Sequence, residues 1–184
     1  MRNLIIITGD LASGKSTLAA SLSNELGILC LTKDRLKEIA CDAIGFSTRE
    51  ENRQLSVTAV NSMLYAFEQV AKVGLDVILE ANFREEELLQ LKSLTQDYLY
   101  NVALITLTGD DHLLYQRFLD RLSNRHRAHT SLHLDTSFEK FREYLEEGRR
   151  QLPVFPANCI DMTEADEDEV VNEALDIAAD ILGI

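Results

Sequence analysis

Directly after an apolar run from Leu4 to Thr8, and just before a segment of helical periodicity, the chain reads Gly9-Asp10-Leu11-Ala12-Ser13-Gly14-Lys15-Ser16. This is the pattern GxxxxGKS in the strand-to-helix setting that a phosphate-binding loop requires. The glycines let backbone N–H groups converge on phosphate oxygens, and the helix N-terminus that follows adds partial positive charge. Lys15 supplies a point charge for the β- and γ-phosphates of ATP, and the Ser16 hydroxyl is suited to ligate Mg2+. With Thr17 next in line, residues 9 to 17 form the expected nucleotide-binding segment. The bland alternative is a glycine turn with an ordinary lysine, and the flanking patterns disfavour it.

Similar apolar, β-branched runs recur at Ile28 to Thr32, Leu75 to Glu80, Val102 to Leu107 and, less clearly, Cys159 to Met162. Such runs suit strands buried on both faces of a parallel sheet. Helical periodicity lies between them, over Lys15 to Leu26, Arg49 to Val73, Arg84 to Tyr98, Asp110 to Asn124, Phe138 to Arg150 and Glu167 to Leu182. Ser47 with Glu50 offers a capping box for the longest of these. Pro153 and Pro156 mark a turn before the last strand. The expectation is an α/β three-layer sandwich of the P-loop NTPase kind, with a five-stranded, mostly parallel sheet in one domain over residues 1 to 184.

Strand ends carry the next signals, because ligands of parallel α/β sheets bind at the carboxyl edge. Thr32-Lys33-Asp34-Arg35-Leu36-Lys37 follows the second strand, and Asp34 either accepts a proton from an attacking hydroxyl or caps the helix through Leu36, Ile39 and Ala40. Glu80 ends the third strand as a Walker B acid does, fit to hold a Mg2+ water or to compete with Asp34 as the base. Asn82 opens Asn82-Phe83-Arg84-Glu85, which also reads as a helix start. Arg117, Arg121 and Arg125 are spaced four apart, with Arg127 beyond. Like charges on one helical stripe disfavour the helix by roughly 0.2 to 0.5 kcal/mol per pair unless an anion compensates. A triphosphate would do so, and a solvated face balanced by Asp111 and Asp120 is the alternative.

Other features exclude more than they assert. The formal charge of -13, from 18 Lys plus Arg against 31 Asp plus Glu, disfavours extended nucleic-acid binding. Cys30, Cys41 and Cys159 form no CxxC and suit free thiols in a reducing cytoplasm. No stretch approaches signal-peptide or membrane-spanning length, so a soluble, cytoplasmic protein is expected. His126, His129 and His133 lie where no periodicity fixes them and read as loop residues rather than a zinc site. The acidic run from Glu164 to Glu169 suits a helix N-terminus. Tyr98, Tyr100 and Tyr144 carry no signal beyond packing.

With GDLASGKS at 9 to 16, TKDRLK at 32 to 37, VILEANF at 77 to 83 and RFLDRLSNRHR at 117 to 127, the chain resembles the small P-loop kinases grouped with zeta toxins, chloramphenicol phosphotransferases and the kinase domain of polynucleotide kinases. The resemblance implies Asp34 as general base and Lys37 where some members contact an acceptor phosphate. It implies Arg117, Arg121, Arg125 and Arg127 as candidates for a lid over ATP, at about residues 117 to 135, and Asp161-Met162-Thr163 near adenine. Glu80 stands where many members have Asp. The expected activity is ATP-dependent phosphotransfer to a hydroxyl of a small molecule, nucleosides and nucleotides included, with Lys37 and Asn82 as acceptor contacts and Ser16 and Glu80 as metal contacts. The alternatives are a nucleic-acid 5'-end kinase and a non-catalytic module gated by nucleotide.

Overall fold

The computed structural model of the protein describes residues 2–129, 136–151 and 154–183. Five strands, β1 (Arg2–Gly9), β2 (Leu29–Thr32), β3 (Val77–Glu80), β4 (Tyr100–Thr108) and β5 (Ala157–Asp161), pair in the order β2-β3-β1-β4-β5. Every pairing is parallel, with Ile5 opposite both Ile78 and Ala103. Among the described residues seven α-helices flank them: α1 (Lys15–Leu26), α2 (Lys33–Ile44), α3 (Arg49–Val73), α4 (Glu85–Asp97), α5 (Asp111–Arg121), α6 (Phe138–Arg149) and, after β5, α7 (Glu167–Leu182).

The period of two along β1 divides the core into two layers. Leu4 and Ile6 pack with Val60, Met63 and Phe67 of α3 and Leu88 and Leu91 of α4. Ile5 and Ile7 pack on the opposite face with Leu18 and Leu22 of α1 and Val170, Ala174 and Ala178 of α7. All four β1 residues are completely buried. Each contributes roughly 1.5 to 3 kcal/mol relative to an exposed position, so β1 anchors the three-layer sandwich and fixes where its carboxyl end points.

The element ends differ from the sequence pattern in instructive ways. The cap of α3 is Thr48 with Glu51, not Ser47 with Glu50: Thr48 Oγ1 accepts from Glu51 N, and the Glu51 carboxylate accepts from Thr48 N, each at 3.1 Å. Both pairs fit the S/T-x-x-E pattern, and the extended backbone of Thr48 decides between them. Helix α4 starts at Glu85, where Glu87 accepts from the backbone N–H of Arg84, so Asn82 is not its cap. Strand β3 begins two residues later than expected, because Asp76 turns back to accept from Asn3 N at 2.8 Å. Asp166 caps α7, and Glu167, Asp168 and Glu169 occupy its first turn, as the macrodipole favours. Pro153 lies outside the described residues.

The largest departure concerns the arginines. Helix α5 stops at Arg121 and tightens into a 3-10 turn, Leu122–Asn124, after which Arg125 is extended at φ -78° and ψ 138°. The three-arginine helical stripe is therefore only Arg117 and Arg121. A second 3-10 turn, Arg127–His129, replaces the expected coil. Its Ala128 is completely buried against Cys41 of α2 and Leu55 of α3, which docks the turn on those helices. Residues 130–135, His133 among them, lie outside the described residues.

The chain leaves β1 toward β2 on one side and leaves β4 toward β5 on the other. A crevice opens between the carboxyl ends of such neighbours. Gly9 lies there at φ +123°, and a Cβ on it would meet the Leu107 carbonyl of β4 at 2.1 Å. Only glycine allows the loop to leave the sheet at that point.

Candidate active site

The loop from Gly9 to Gly14 wraps on itself before α1 begins. Ser13 Oγ donates to the Asp10 carbonyl at 2.8 Å, and Gly14, at φ +91°, is the left-handed N-cap of α1. Leu11, Ala12 and Gly14 to Thr17 line a cavity of about 660 Å³. Lys15 is buried and donates from Nζ to the Asp10 carbonyl. Burial pushes its pKa down to about 8, against the pull of Glu80, Asp34 and Asp10. A lysine held this way keeps its charge at neutral pH and gains from any anion that reaches it.

The motif leaves Asp10 as a variable position, and the structure gives its side chain a partner the sequence does not announce. Arg149, at the end of α6, donates from Nε and Nη2 to the Asp10 carboxylate, at 2.6 Å for the shorter contact, from Nη1 to Asp111 at 2.8 Å and from Nη2 to the Gly109 carbonyl at 2.9 Å. A forked guanidinium matches a carboxylate in this way. The loop is thus tied to α6, and the Asp10 backbone is engaged as well, its N–H donating to the Leu107 carbonyl at 2.8 Å and its carbonyl accepting from Ser13 and Lys15. Nothing in the spacing of Arg149 from residue 10 could have revealed this pair.

Ser16 Oγ donates to Glu80 Oε2 at 3.3 Å. Glu80 is buried, and desolvation raises its pKa to about 7, with Lys15 opposing and Asp34 assisting the rise. A hydroxyl and a carboxylate side by side are hard oxygen donors, the set that suits Mg2+ retaining waters and phosphate oxygens. No group of three or more His, Cys, Asp or Glu among the described residues could hold a metal. A divalent ion needs the ionised carboxylate, so Mg2+ affinity should rise, and the Mg2+ requirement fall, as pH rises through about 7. Glu80→Gln should raise the Mg2+ requirement and flatten that pH dependence. Titrating Mg2+ against nucleotide binding between about pH 6 and 8 checks both effects.

Asp34 sits in the first turn of α2, whose N-cap is Thr32, and it makes no cap hydrogen bond. The capping alternative is therefore not what the structure shows. Its half-exposed side chain lines the same cavity as Lys15 and Ser16. Lys37, one turn on, is buried at the cavity wall with its pKa lowered mainly by desolvation. Asn82 also lines the cavity, and its Nδ2 donates to the Tyr144 hydroxyl at 3.4 Å, which gives Tyr144 a place the sequence did not signal. Arg49 and Ser56 of α3 complete this side with Lys140 and Phe141 of α6.

Of the four arginines, Arg121 and Arg125 line the cavity and a second lobe of about 420 Å³ beside it. Arg117 and Arg127 do not line either. Arg127 lies over the Phe46 ring, 5.1 Å from its centroid, and donates to the Phe46 carbonyl at 3.2 Å. Single alanine substitutions should divide the set: loss of a phosphate-facing guanidinium costs on the order of 10²- to 10³-fold in turnover, expected for Arg121 or Arg125, whereas Arg117→Ala should change little. Steady-state turnover of the four variants checks this.

Of the histidines expected in a loop, His126 and His129 have carboxylate partners. His126 Nε2 is 3.0 Å from Asp42 Oδ1, and His129 Nε2 is 3.1 Å from Glu38 Oε1. On the far side of the loop, Met162 reaches Gly14, where an added Cβ would lie 3.7 Å from its Cε. Asp161 accepts from Thr163 N at 2.9 Å, and Thr163 Oγ1 accepts from Asp110 N at 3.0 Å. Residues 161 to 163 thus form a hydrogen-bonded rim next to the phosphate loop. No helix among the described residues is long and apolar enough to cross a membrane.

Solved structures share this architecture. A candidate kinase from Chloroflexus aurantiacus is 26% identical with a TM-score of 0.81, covering 95% of this chain and 97% of its own. A gluconokinase from Sinorhizobium meliloti is 18% identical with a TM-score of 0.63 and coverage of 97% and 93%. An APS kinase from Mycobacterium tuberculosis is 18% identical with a TM-score of 0.61 and coverage of 96% of each chain. No curated protein sequence matches the chain. A family profile described as AAA domain matches residues 4–147, from the first strand through most of α6 and across the whole phosphate-loop side of the cavity. On that match the chain belongs to the AAA domain family.

Proposed function

We propose that the protein is an ATP-dependent phosphotransferase that moves the γ-phosphoryl group to a hydroxyl of a small molecule, nucleosides and nucleotides among the candidates. The observation that carries this reading is one cavity lined at once by Lys15, Ser16 with Glu80, and Asp34. A nucleotide switch would need the first three and has no use for a carboxylate facing them.

In this reading the backbone of residues 9 to 16 and Lys15 hold the β- and γ-phosphates. Ser16 and Glu80 hold Mg2+, which when bound neutralises charge on the phosphates. Asp34 orients the acceptor hydroxyl in line with the γ-phosphorus and takes its proton late in the transfer. Arg121 and Arg125 neutralise charge that spreads over the transferring group. Lys37 and Asn82 contact the acceptor, and residues 161 to 163 border adenine. The lid over ATP is the segment at about residues 117 to 135, of which residues 130–135 lie outside the described ones. The ordered match of four segments supports kinship with the zeta toxin and chloramphenicol phosphotransferase group, and three free thiols suit the cytoplasm.

A panel of sugars, hydroxy acids, nucleosides and nucleotides, incubated with MgATP and read by mass spectrometry, tests the reading. One acceptor gaining one phosphate is the expected result. Protein that binds no MgATP would overturn it.

A further inference from the structure

Asp34, Glu38 and Asp42 recur at four-residue spacing on α2 and so share one face. The lid turn is laid along that face. His126 meets Asp42, Arg127 meets Phe46, and His129 meets Glu38 with Nε2 at 3.1 Å and Asp34 Oδ1 with Nδ1 at 3.8 Å. The His129 side chain is only 8% exposed, and buried Ala128 beside it fixes the turn on Cys41 and Leu55. The ring is therefore held by packing and one hydrogen bond, with its second nitrogen turned to the carboxylate that faces the phosphate loop.

Both ring nitrogens donate only in the imidazolium form. Burial lowers the pKa of His129, and Arg125 and Lys37 lower it further, against the opposing pull of Asp34 and Glu38. Near neutral pH the ring is neutral with one N–H, which goes to the nearer carboxylate, Glu38. Nδ1 then presents a lone pair to Asp34. A lone pair gains nothing from an ionised carboxylate, but it accepts a hydrogen bond as soon as Asp34 carries a proton.

Phosphoryl transfer to an alcohol produces such a proton. The oxygen–phosphorus bond to the acceptor forms, the bond to the ADP oxygen breaks, and the hydroxyl proton passes to Asp34. We propose that His129 is the positioning residue of Asp34, delivered by the lid turn to receive on Nδ1 the proton that Asp34 removes from the acceptor. A small rotation of the half-exposed Asp34 side chain closes the 3.8 Å gap. The imidazolium so formed lies between two carboxylates, Asp34 returns to its ionised form, and the proton leaves to water through the adjoining lobe, which His129 lines. The base is then reset only while the turn is docked, which couples the chemistry to lid position. This proposal rests on Asp34 as the acceptor base.

Nitrogen-resolved NMR of the histidine side chains tests the coupling without an acceptor. The expected result is a neutral His129 near pH 7 with its proton on Nε2. In Asp34→Asn its titration midpoint should fall by about one pH unit, because an opposite charge within ~4–6 Å is removed. An unchanged midpoint, or a proton on Nδ1, overturns the proposal. Turnover supplies the second arm, with the acceptor found in the panel or with water when MgATP alone is offered. His129→Gln retains a donor for Glu38 but cannot bind the proton, so at saturating Mg2+, where Glu80 is held ionised, turnover should fall by about tenfold or more and lose its decline just below neutral pH. Wild-type turnover, or a reduced rate with that decline retained at saturating Mg2+, overturns the proposal while Asp34→Asn stays impaired. Failure of the underlying reading shows separately, as Asp34→Asn turning over at the wild-type rate.

Discussion

Lys15→Met is expected to weaken MgATP binding by about 10²-fold or more, since the ammonium would make charge-assisted hydrogen bonds worth roughly 1.5 to 3 kcal/mol each to phosphate oxygens. Methionine keeps the buried aliphatic stem, which matters because Lys15 is not the exposed loop residue that its glycine-rich setting suggests. Its pH behaviour supplies a second measurement. The folded pKa of about 8 lies below the ordinary value of 10.5, so between these limits the unfolded chain binds a proton that the folded protein does not. Stability of the wild type should therefore rise with pH across that window relative to Lys15→Met. Phosphate brought beside Lys15 restores the charged form, so nucleotide binding above about pH 8 should take up a proton in the wild type and none at this position in the variant. Calorimetry in buffers of different ionisation enthalpy measures the uptake directly. Equal affinity and equal proton uptake in the two proteins would remove Lys15 from the phosphate site.

The parts of this fold that periodicity controls were legible in the sequence. Fully buried stretches such as Leu4 to Ile7 need continuous apolar runs, and α3 needs its three- and four-residue spacing, so both were readable from local pattern. The strand-end acids were readable because parallel topology puts all strand ends on one edge, which brings Asp34 and Glu80 to the same cavity as Lys15. What stayed hidden depended on tertiary packing. Arg125 left the arginine stripe because the chain tightened after Arg121, and Ala128 drew the following turn onto α2 and α3. Only that docking gives His126 and His129 partners, on carboxylates more than eighty residues away. The Arg149 fork on Asp10 spans 139 residues and answers to no local rule. Sequence reasoning thus located the chemistry but missed the clasp around it.

Asp34→Asn separates the chemical step from binding. Asparagine preserves size and hydrogen-bonding reach but cannot accept a proton, and general-base assistance is worth about 10²- to 10⁴-fold, so turnover on the true acceptor should fall by that order. Binding of MgATP should change little. Asp34 contributes favourable charge to Lys15 but ranks behind Glu80 in doing so, and it shares no hydrogen bond with the phosphate loop. Stability should also hold, because the side chain is half exposed, caps no helix and meets His129 only at 3.8 Å. The loss should appear in kcat at saturating acceptor, since the transition state needs the base and the bound ground state does not. Single-turnover measurements with MgATP and acceptor both bound isolate that step from product release. A loss confined to the acceptor KM would make Asp34 a binding contact and move the base to Glu80, whose pKa of about 7 leaves part of its population ionised at neutral pH. In that case Glu80→Gln, not Asp34→Asn, would carry the fall in kcat, and the fall would persist at saturating Mg2+. If Asp34 is the base, saturating Mg2+ should instead restore most of the turnover of Glu80→Gln and none of that of Asp34→Asn.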